Sequence, residues 1–140
     1  MLFRSLAEAR DGFHDIQAAS FEQEAHARLA EAAVFAGDHE RALREVELAE
    51  LAGEVDAPPQ LQAVLFRVRG HALLQMHRPD EASQAFDRSL EAARRGGALY
   101  EIALSLRAIG LARGVTADVA ESQKLLDALQ VERVQEIPLE

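Results

Sequence analysis

A pattern that returns after forty residues is the feature that most constrains the fold of this chain. Residues 37–43 read GDHERAL and residues 77–83 read HRPDEAS, so charged residues and an alanine return in the same order. The same interval separates Ala30, Gly70 and Gly110. A pair of helices cannot bury its apolar stripe alone and therefore stacks on a similar pair. The recurrence predicts a row of helix pairs.

Helix start and stop signals, together with apolar residues at three- and four-residue steps, divide the sequence into seven predicted helices. These helices cover residues 5–18, 21–36, 39–52, 58–76, 79–95, 99–113 and 117–130. The short loops between helices of similar length predict antiparallel neighbours. Residues 131–140 alternate loosely and contain Pro138, which predicts an extended arm.

Polar residues at the predicted helix starts are candidate N-caps. Ser5, followed three residues later by Glu8, forms a capping box. Ser20 is expected to cap the second helix, Asp38 the third, and either Thr116 or Asp118 the seventh. The remaining boundaries are marked by glycine at helix ends and by proline in first turns.

The size of the residues at repeated positions predicts how the helices pack. Small residues are expected where the two helices of a pair cross closely, at Ala30, Gly70, Gly110, Ala42 and Ala82. Larger side chains are expected to fill the spaces between pairs, at Phe13, Val46, Phe86 and Leu126.

Three copies of this pattern resemble the tetratricopeptide repeat, in which aromatic-x2-Leu-Gly-x2-Tyr is followed by Ala-x3-Phe. The best match runs over residues 66–73 and continues with Ala82 and Phe86. The other copies run over residues 26–46 and 106–126. Arg69 stands where leucine is usual, and Ala33 and Arg113 stand where tyrosine is usual. The forty-residue interval also exceeds the usual 34, which implies longer linkers.

The resemblance implies an all-α fold of antiparallel helical hairpins in a right-handed solenoid. Residues 1–130 would form the repeat domain, and residues 131–140 the tail. The domain would comprise a half repeat at 5–18 and full repeats at 20–53, 58–95 and 98–130.

Residues 90–101 and 129–134 are also similar to the helical-repeat C-terminal parts of large bacterial signalling proteins. Those proteins are nucleotide cyclases, signalling ATPases and transcriptional regulators, which implies a regulatory or scaffolding role. The half-repeat start suggests a fragment of a larger protein or an end that stacks on a partner. Leu2, Phe3 and Leu6 would form an apolar edge there, and homodimerisation is expected.

Composition narrows the classes of partner. The net charge of −9 and the pI of about 5.0 disfavour nucleic-acid binding. The absence of cysteine excludes disulfides, thiolate metal sites and cysteine nucleophiles. No apolar run approaches the roughly 18 residues of a membrane span. The first residues carry charge where a secretory signal needs an apolar run, so a cytoplasmic location is expected.

The sequence offers no pattern typical of catalysis, metal binding or cofactor binding. None of the five histidines has the spacing of a zinc site, and a nucleophile elbow and a phosphate loop are both absent. Carboxylates on helices usually form a solvated face. We therefore predict a non-enzymatic protein with no cofactor.

One candidate partner-binding groove follows from the resemblance, because first helices line the concave face in that family. The positions that would face this groove are Ala27, Glu31, Arg67, His71, Arg107 and Leu111. Arg67, His71 and Arg107 would form a cationic strip that suits an acidic peptide or a chain terminus. The alternative is that these arginines pair with Glu31 or Glu101. The family's carboxylate clamp uses lysine and asparagine, which this chain lacks at these positions.

These features predict a protein–protein interaction or scaffolding module in a bacterial regulatory system. The alternative is a regulatory domain that senses a small molecule in the concave groove.

Overall fold

The computed structural model describes residues 5–52, 57–131 and 134–139, without the side chain of Phe13. Within these ranges the chain forms α-helices and no strand, which confirms the predicted all-α class. The helices are α1 (Leu6–Phe35), α2 (His39–Ala52), α3 (Pro59–Gln75), α4 (Pro79–Arg95), α5 (Leu99–Arg113) and α6 (Thr116–Ala128).

The predicted break at Ser20 is wrong, because α1 continues through it as one helix of 30 residues. The Ser20 hydroxyl donates to the carbonyl of Ile16 at 3.0 Å, one turn earlier, and so does not act as an N-cap. No glycine or proline lies near this position to interrupt the backbone hydrogen bonds. The described helices therefore number six rather than seven.

Two of the predicted caps are confirmed. The Ser5 hydroxyl accepts from the backbone N–H of Glu8 at 3.1 Å. The Asp38 carboxylate accepts from the backbone N–H of Arg41 at the same distance. The predicted cap at Thr116 or Asp118 is wrong, because both residues lie within the first turn of α6 and Val115 precedes the helix without a side-chain cap.

Left-handed residues end several helices and turn the chain toward the next. Gly37 has φ of 76° after α1, and Gly97 has φ of 60° after α4. His77, forty residues after Gly37, adopts φ of 59° although it carries a side chain. The loops after α1 and after α3 make the same backbone hydrogen bond. The N–H of Asp38 donates to the carbonyl of Ala33, and the N–H of Arg78 donates to the carbonyl of Leu73. The two loops therefore share one geometry.

The helices pack as three adjacent pairs, α1 with α2, α3 with α4, and α5 with α6. The first helix of each pair also packs on its counterpart, α1 on α3 and α3 on α5. The second helices α2, α4 and α6 make no comparable contact with one another in the part of the chain described. We call α1, α3 and α5 the first-helix layer. This arrangement agrees with an all-α helical repeat, and the right-handed solenoid stays a prediction.

The small residues lie where the helices approach closely, as predicted. A Cβ added at Gly70 would lie 2.6 Å from Cδ1 of Phe86, which belongs to the partner helix α4. At Gly110 an added Cβ would lie 2.6 Å from Cγ2 of Val119 on α6. Ala30, Ala42 and Ala82 are fully buried, as are the larger Val46, Phe86 and Leu126. The Phe13 side chain lies outside the described residues.

The segment of residues 134–139, which we call the tail segment, has no regular secondary structure. It follows the third pair, yet its Ile137 packs on the apolar cluster formed by α1, α2 and α3. None of the helices in the described ranges combines the length and apolarity that crossing a bilayer requires.

Replacing Gly70 with alanine should destabilise the protein by about 1–3 kcal/mol. In an exposed helix interior, alanine stabilises the helix by about 1 kcal/mol relative to glycine. A net loss of stability would therefore come from the steric clash between the added methyl group and Phe86. Urea unfolding followed by circular dichroism measures the change. The double variant Gly70→Ala with Phe86→Leu should lose less stability than the sum of the two single variants, whereas a Gly70→Ala variant as stable as the parent would contradict the close crossing.

Candidate functional site

Arg67 lies at the centre of the first-helix layer and joins all three of its helices. Its Nη1 donates to Oε2 of Glu101 on α5 at 2.5 Å. Its Nη2 lies 3.7 Å from Oε2 of Glu31 on α1. The Arg67 side chain is only 6% exposed. Of the two arrangements left open by the sequence, the structure has the one in which Arg67 pairs with carboxylates, and it pairs with both.

The ion pairs around Arg67 extend along α1. Glu31 also accepts from Nη1 of Arg28 at 3.3 Å, and Arg28 lies 3.8 Å from Glu24. Two arginines therefore face three carboxylates, counting Glu101. This part of the layer carries an excess of negative charge rather than the cationic surface expected from Arg67.

His71 follows Arg67 by one helical turn, and it also adds no positive charge to the expected cationic strip. Burial, with the Arg67 guanidinium nearby, lowers the pKa of His71 from 6.5 to about 3. Its ring packs edge-on against Phe86, with the ring centres 4.9 Å apart. His71 is therefore neutral at pH 7 and stabilises the α3–α4 pair.

The remaining predicted groove residues differ in their access to a partner. Ala27 is fully buried and offers no surface, contrary to the expectation. Arg107 on α5 is partly buried and makes no ion pair with any residue that the structure describes. Leu111, one turn further on, is 62% exposed. Arg107 and Leu111 form an apolar and cationic patch, which we call the α5 patch.

An open cavity of about 240 Å³ lies between the first halves of α3 and α5 and the middle of α1. Its lining comprises Ser20, Gln23, Glu24, Arg28, Pro58, Gln60, Leu61, Val64 and Glu101. Glu101 and Arg28 connect this cavity to the ion pairs around Arg67. The lining combines polar residues of α1 with apolar residues of α3, which suits one inserted side chain.

Gln75, one turn after His71, is a residue that sequence reasoning missed. It lies on the same side of α3 as His71, and its side-chain amide donates to the carbonyl of Pro138 at 2.7 Å. The same amide donates to the carbonyl of Val34 on α1 at 3.0 Å. The tail segment is thus held against the first-helix layer. The apolar Ile137 within the predicted extended arm was the signal for this contact.

The proposed apolar edge at the start of the chain is only partly described. Leu6 is 91% exposed, whereas Leu2 and Phe3 lie outside the described residues. In the described ranges, no group of three or more histidine or acidic side chains is placed to hold a metal ion. Comparison with protein-family models, curated proteins and solved structures yields no match to the chain.

Replacing Arg67 with methionine should cost about 3 kcal/mol of unfolding free energy, because it leaves the largely buried Glu101 without its arginine and leaves Glu31 with Arg28 alone. The matched control is Arg69→Met on the same helix. Arg69 pairs with Glu50 at 2.5 Å in an exposed position, so its loss should cost about 1 kcal/mol or less. Chemical denaturation measures both, and equal losses would show that the Arg67 pairs are not distinctive.

Acidification should destabilise the protein through His71. Its folded-state pKa lies below the unfolded value, so its contribution is fully present above pH 6.5 and is lost as the pH falls toward 3. Between pH 7 and pH 5 the loss should be about 2 kcal/mol. A His71→Leu variant should lose less stability than the parent over this interval. Parallel stability curves, or an NMR titration of His71 near pH 6.5, would contradict its neutral buried state.

Proposed function

We propose that this chain is a non-enzymatic protein–protein interaction module that binds its partner on the first-helix layer. The observation that carries the proposal is the contact between this layer and a segment of the chain itself that has no regular secondary structure. Ile137 packs on the apolar cluster formed by α1, α2 and α3, and Gln75 of the layer binds the backbone carbonyl of Pro138. A surface with apolar contacts and a main-chain donor has the chemistry that extended peptides require.

The α5 patch supplies a second contact for the partner. Leu111 offers an exposed apolar side chain, and Arg107 offers a guanidinium without an ion-pair partner among the described residues. Arginine binds carboxylates through two parallel hydrogen bonds. An acidic and apolar peptide is therefore the partner that the patch favours, and Arg107 is the member of the expected cationic strip that would bind it.

The setting proposed for this module is a bacterial regulatory or signalling system in the cytoplasm. The support is the likeness of residues 90–101 and 129–134 to the helical-repeat parts of large signalling proteins. A curved array of tetratricopeptide type would present the first helices on its inner face, and the closer packing of α1, α3 and α5 agrees with that curvature.

A small-molecule sensor is the alternative function, and the cavity near Glu101 is the feature that favours it. Its volume of about 240 Å³ is below the range of about 300–1,000 Å³ typical of ligand pockets. An inserted peptide side chain fits this volume better than a metabolite enclosed on all sides.

The interaction function is tested with variants of the exposed patch, since Arg67 is too buried to serve as a surface probe. A double variant, Arg107→Glu with Leu111→Asp, should bind a partner captured by the parent chain at least tenfold more weakly. The control is Leu51→Asp on α2, where the leucine is also exposed, and it should retain the partner. Surface plasmon resonance measures the affinities.

A partner that binds the double variant as tightly as the parent would contradict the proposed surface. A thermal-shift screen provides the opposing result, because a metabolite that raises the melting temperature would favour the sensor.

A further inference from the structure

The tail segment and Gln75 form a long-range contact that the proposed function does not explain. Pro138 lies 63 residues beyond Gln75 in sequence, and the segment returns past the third helix pair to reach the first two. Ile137 contributes the apolar contact and Pro138 the backbone carbonyl. The segment therefore occupies the surface as a bound peptide would.

Gln75 makes only part of the hydrogen bonds that its amide allows. Nε2 uses its hydrogens on the carbonyls of Val34 and Pro138. Oε1 is buried and has no hydrogen-bond partner among the residues described. Buried acceptors are normally paired, so an unpaired one in a residue that is only 6% exposed requires an explanation.

The residue that Gln75 contacts explains the unpaired oxygen. In an extended chain, the N–H and C=O of one residue point to the same side and can both bond to a neighbour. A side-chain amide carries a donor and an acceptor with matching spacing. Proline offers the carbonyl but has no N–H, so Pro138 can satisfy Nε2 but cannot satisfy Oε1.

We propose that Gln75 marks a binding site for the main chain of an extended partner segment, and that the tail segment is its weak internal occupant. The partner segment has a branched apolar residue in the place of Ile137, followed by a residue other than proline. This inference rests on the proposed interaction function and specifies the partner for one part of the layer. A partner that pairs both Nε2 and Oε1 displaces the tail segment, which pairs only one.

The test uses two synthetic peptides of residues 131–140 with blocked ends, one natural and one carrying Pro138→Ala. The host is the full chain with Ile137→Asp, because a charged side chain in the apolar contact releases the host's own segment. Isothermal titration measures binding, and hydrogen exchange of residues 134–139 in the host reports release. The alanine peptide should bind about five- to tenfold more tightly than the natural one, as expected for one added hydrogen bond to a buried acceptor.

The control host carries Gln75→Met in addition to Ile137→Asp. Methionine has a similar shape but neither donor nor acceptor of comparable strength, and the Val34 carbonyl keeps its bond from the N–H of Gly37 at 3.0 Å. The two peptides should differ less in this host, because the added N–H has no oxygen to meet. Any general effect of proline on peptide flexibility is the same in both hosts and cancels.

A second measurement needs neither peptide nor the Gln75 variant. In the otherwise natural chain, Pro138→Ala introduces an amide at position 138 that should be protected from hydrogen exchange by bonding to Oε1. An unprotected amide there would overturn the proposal.

An equal preference for the alanine peptide in both hosts would also overturn it, as would failure of both peptides to bind a host whose segment is released. A segment that remains protected in the Ile137→Asp host counts against it too, because Ile137 would not then hold it. These outcomes are separate from the test of the α5 patch. A partner that depends on Arg107 and Leu111 but not on Gln75 would leave the interaction function standing and remove this site.

Discussion

The close crossing of the two helices in each pair is the constraint on which the rest of the structure depends. At Gly70 there is no room for a methyl group beside the Phe86 ring, and Gly110 meets Val119 in the same way. Because the pair closes this tightly, the Phe86 ring also contacts the ring of His71, the residue that follows Gly70. The loss of water around His71 that makes it neutral is a consequence of that packing.

The charges of the first-helix layer are paired differently from the pattern that the sequence predicted. An arginine at a groove position suggests a free cation, but Arg67 is surrounded by Glu31 and Glu101 from the neighbouring helices. A buried ion pair contributes modest stability, yet it fixes geometry because either partner alone is costly. Arg67 thereby sets the spacing of α1, α3 and α5. In the proposed function, recognition is left to Arg107 and Gln75.

Local signals predicted most of the helix boundaries, because glycine, proline and capping residues act within a few residues of their own position. The starts of α3 and α4 at Pro59 and Pro79 are examples. Ser20 shows the limit of such signals, since a serine hydroxyl can either cap a helix or bond back to the preceding turn. Nothing in the local sequence decides between these, and the packing of α1 on its neighbours is a property of the whole fold.

The candidate site was also predictable only in part, because it depends on packing between helices and not on local signals. The forty-residue interval placed Arg67 and Arg107 at equivalent positions, but it could not show that only the former meets two carboxylates. The alternative pairing with Glu31 or Glu101 was identifiable from helix order. The contact between Gln75 and Pro138 was not, because it joins residues 63 apart through a segment without periodicity.

His77 shows what the repeat conserves from one copy to the next. It occupies the place of Gly37 and keeps the left-handed backbone, although a side chain there costs about 1 kcal/mol relative to glycine. The two copies, forty residues apart, therefore share the path of the main chain at this position, whereas the residue that takes this path differs. The loop between α3 and α4 consequently stores backbone strain that the loop between α1 and α2 does not. The copies can differ in sequence wherever the packing of the helices offsets such strain.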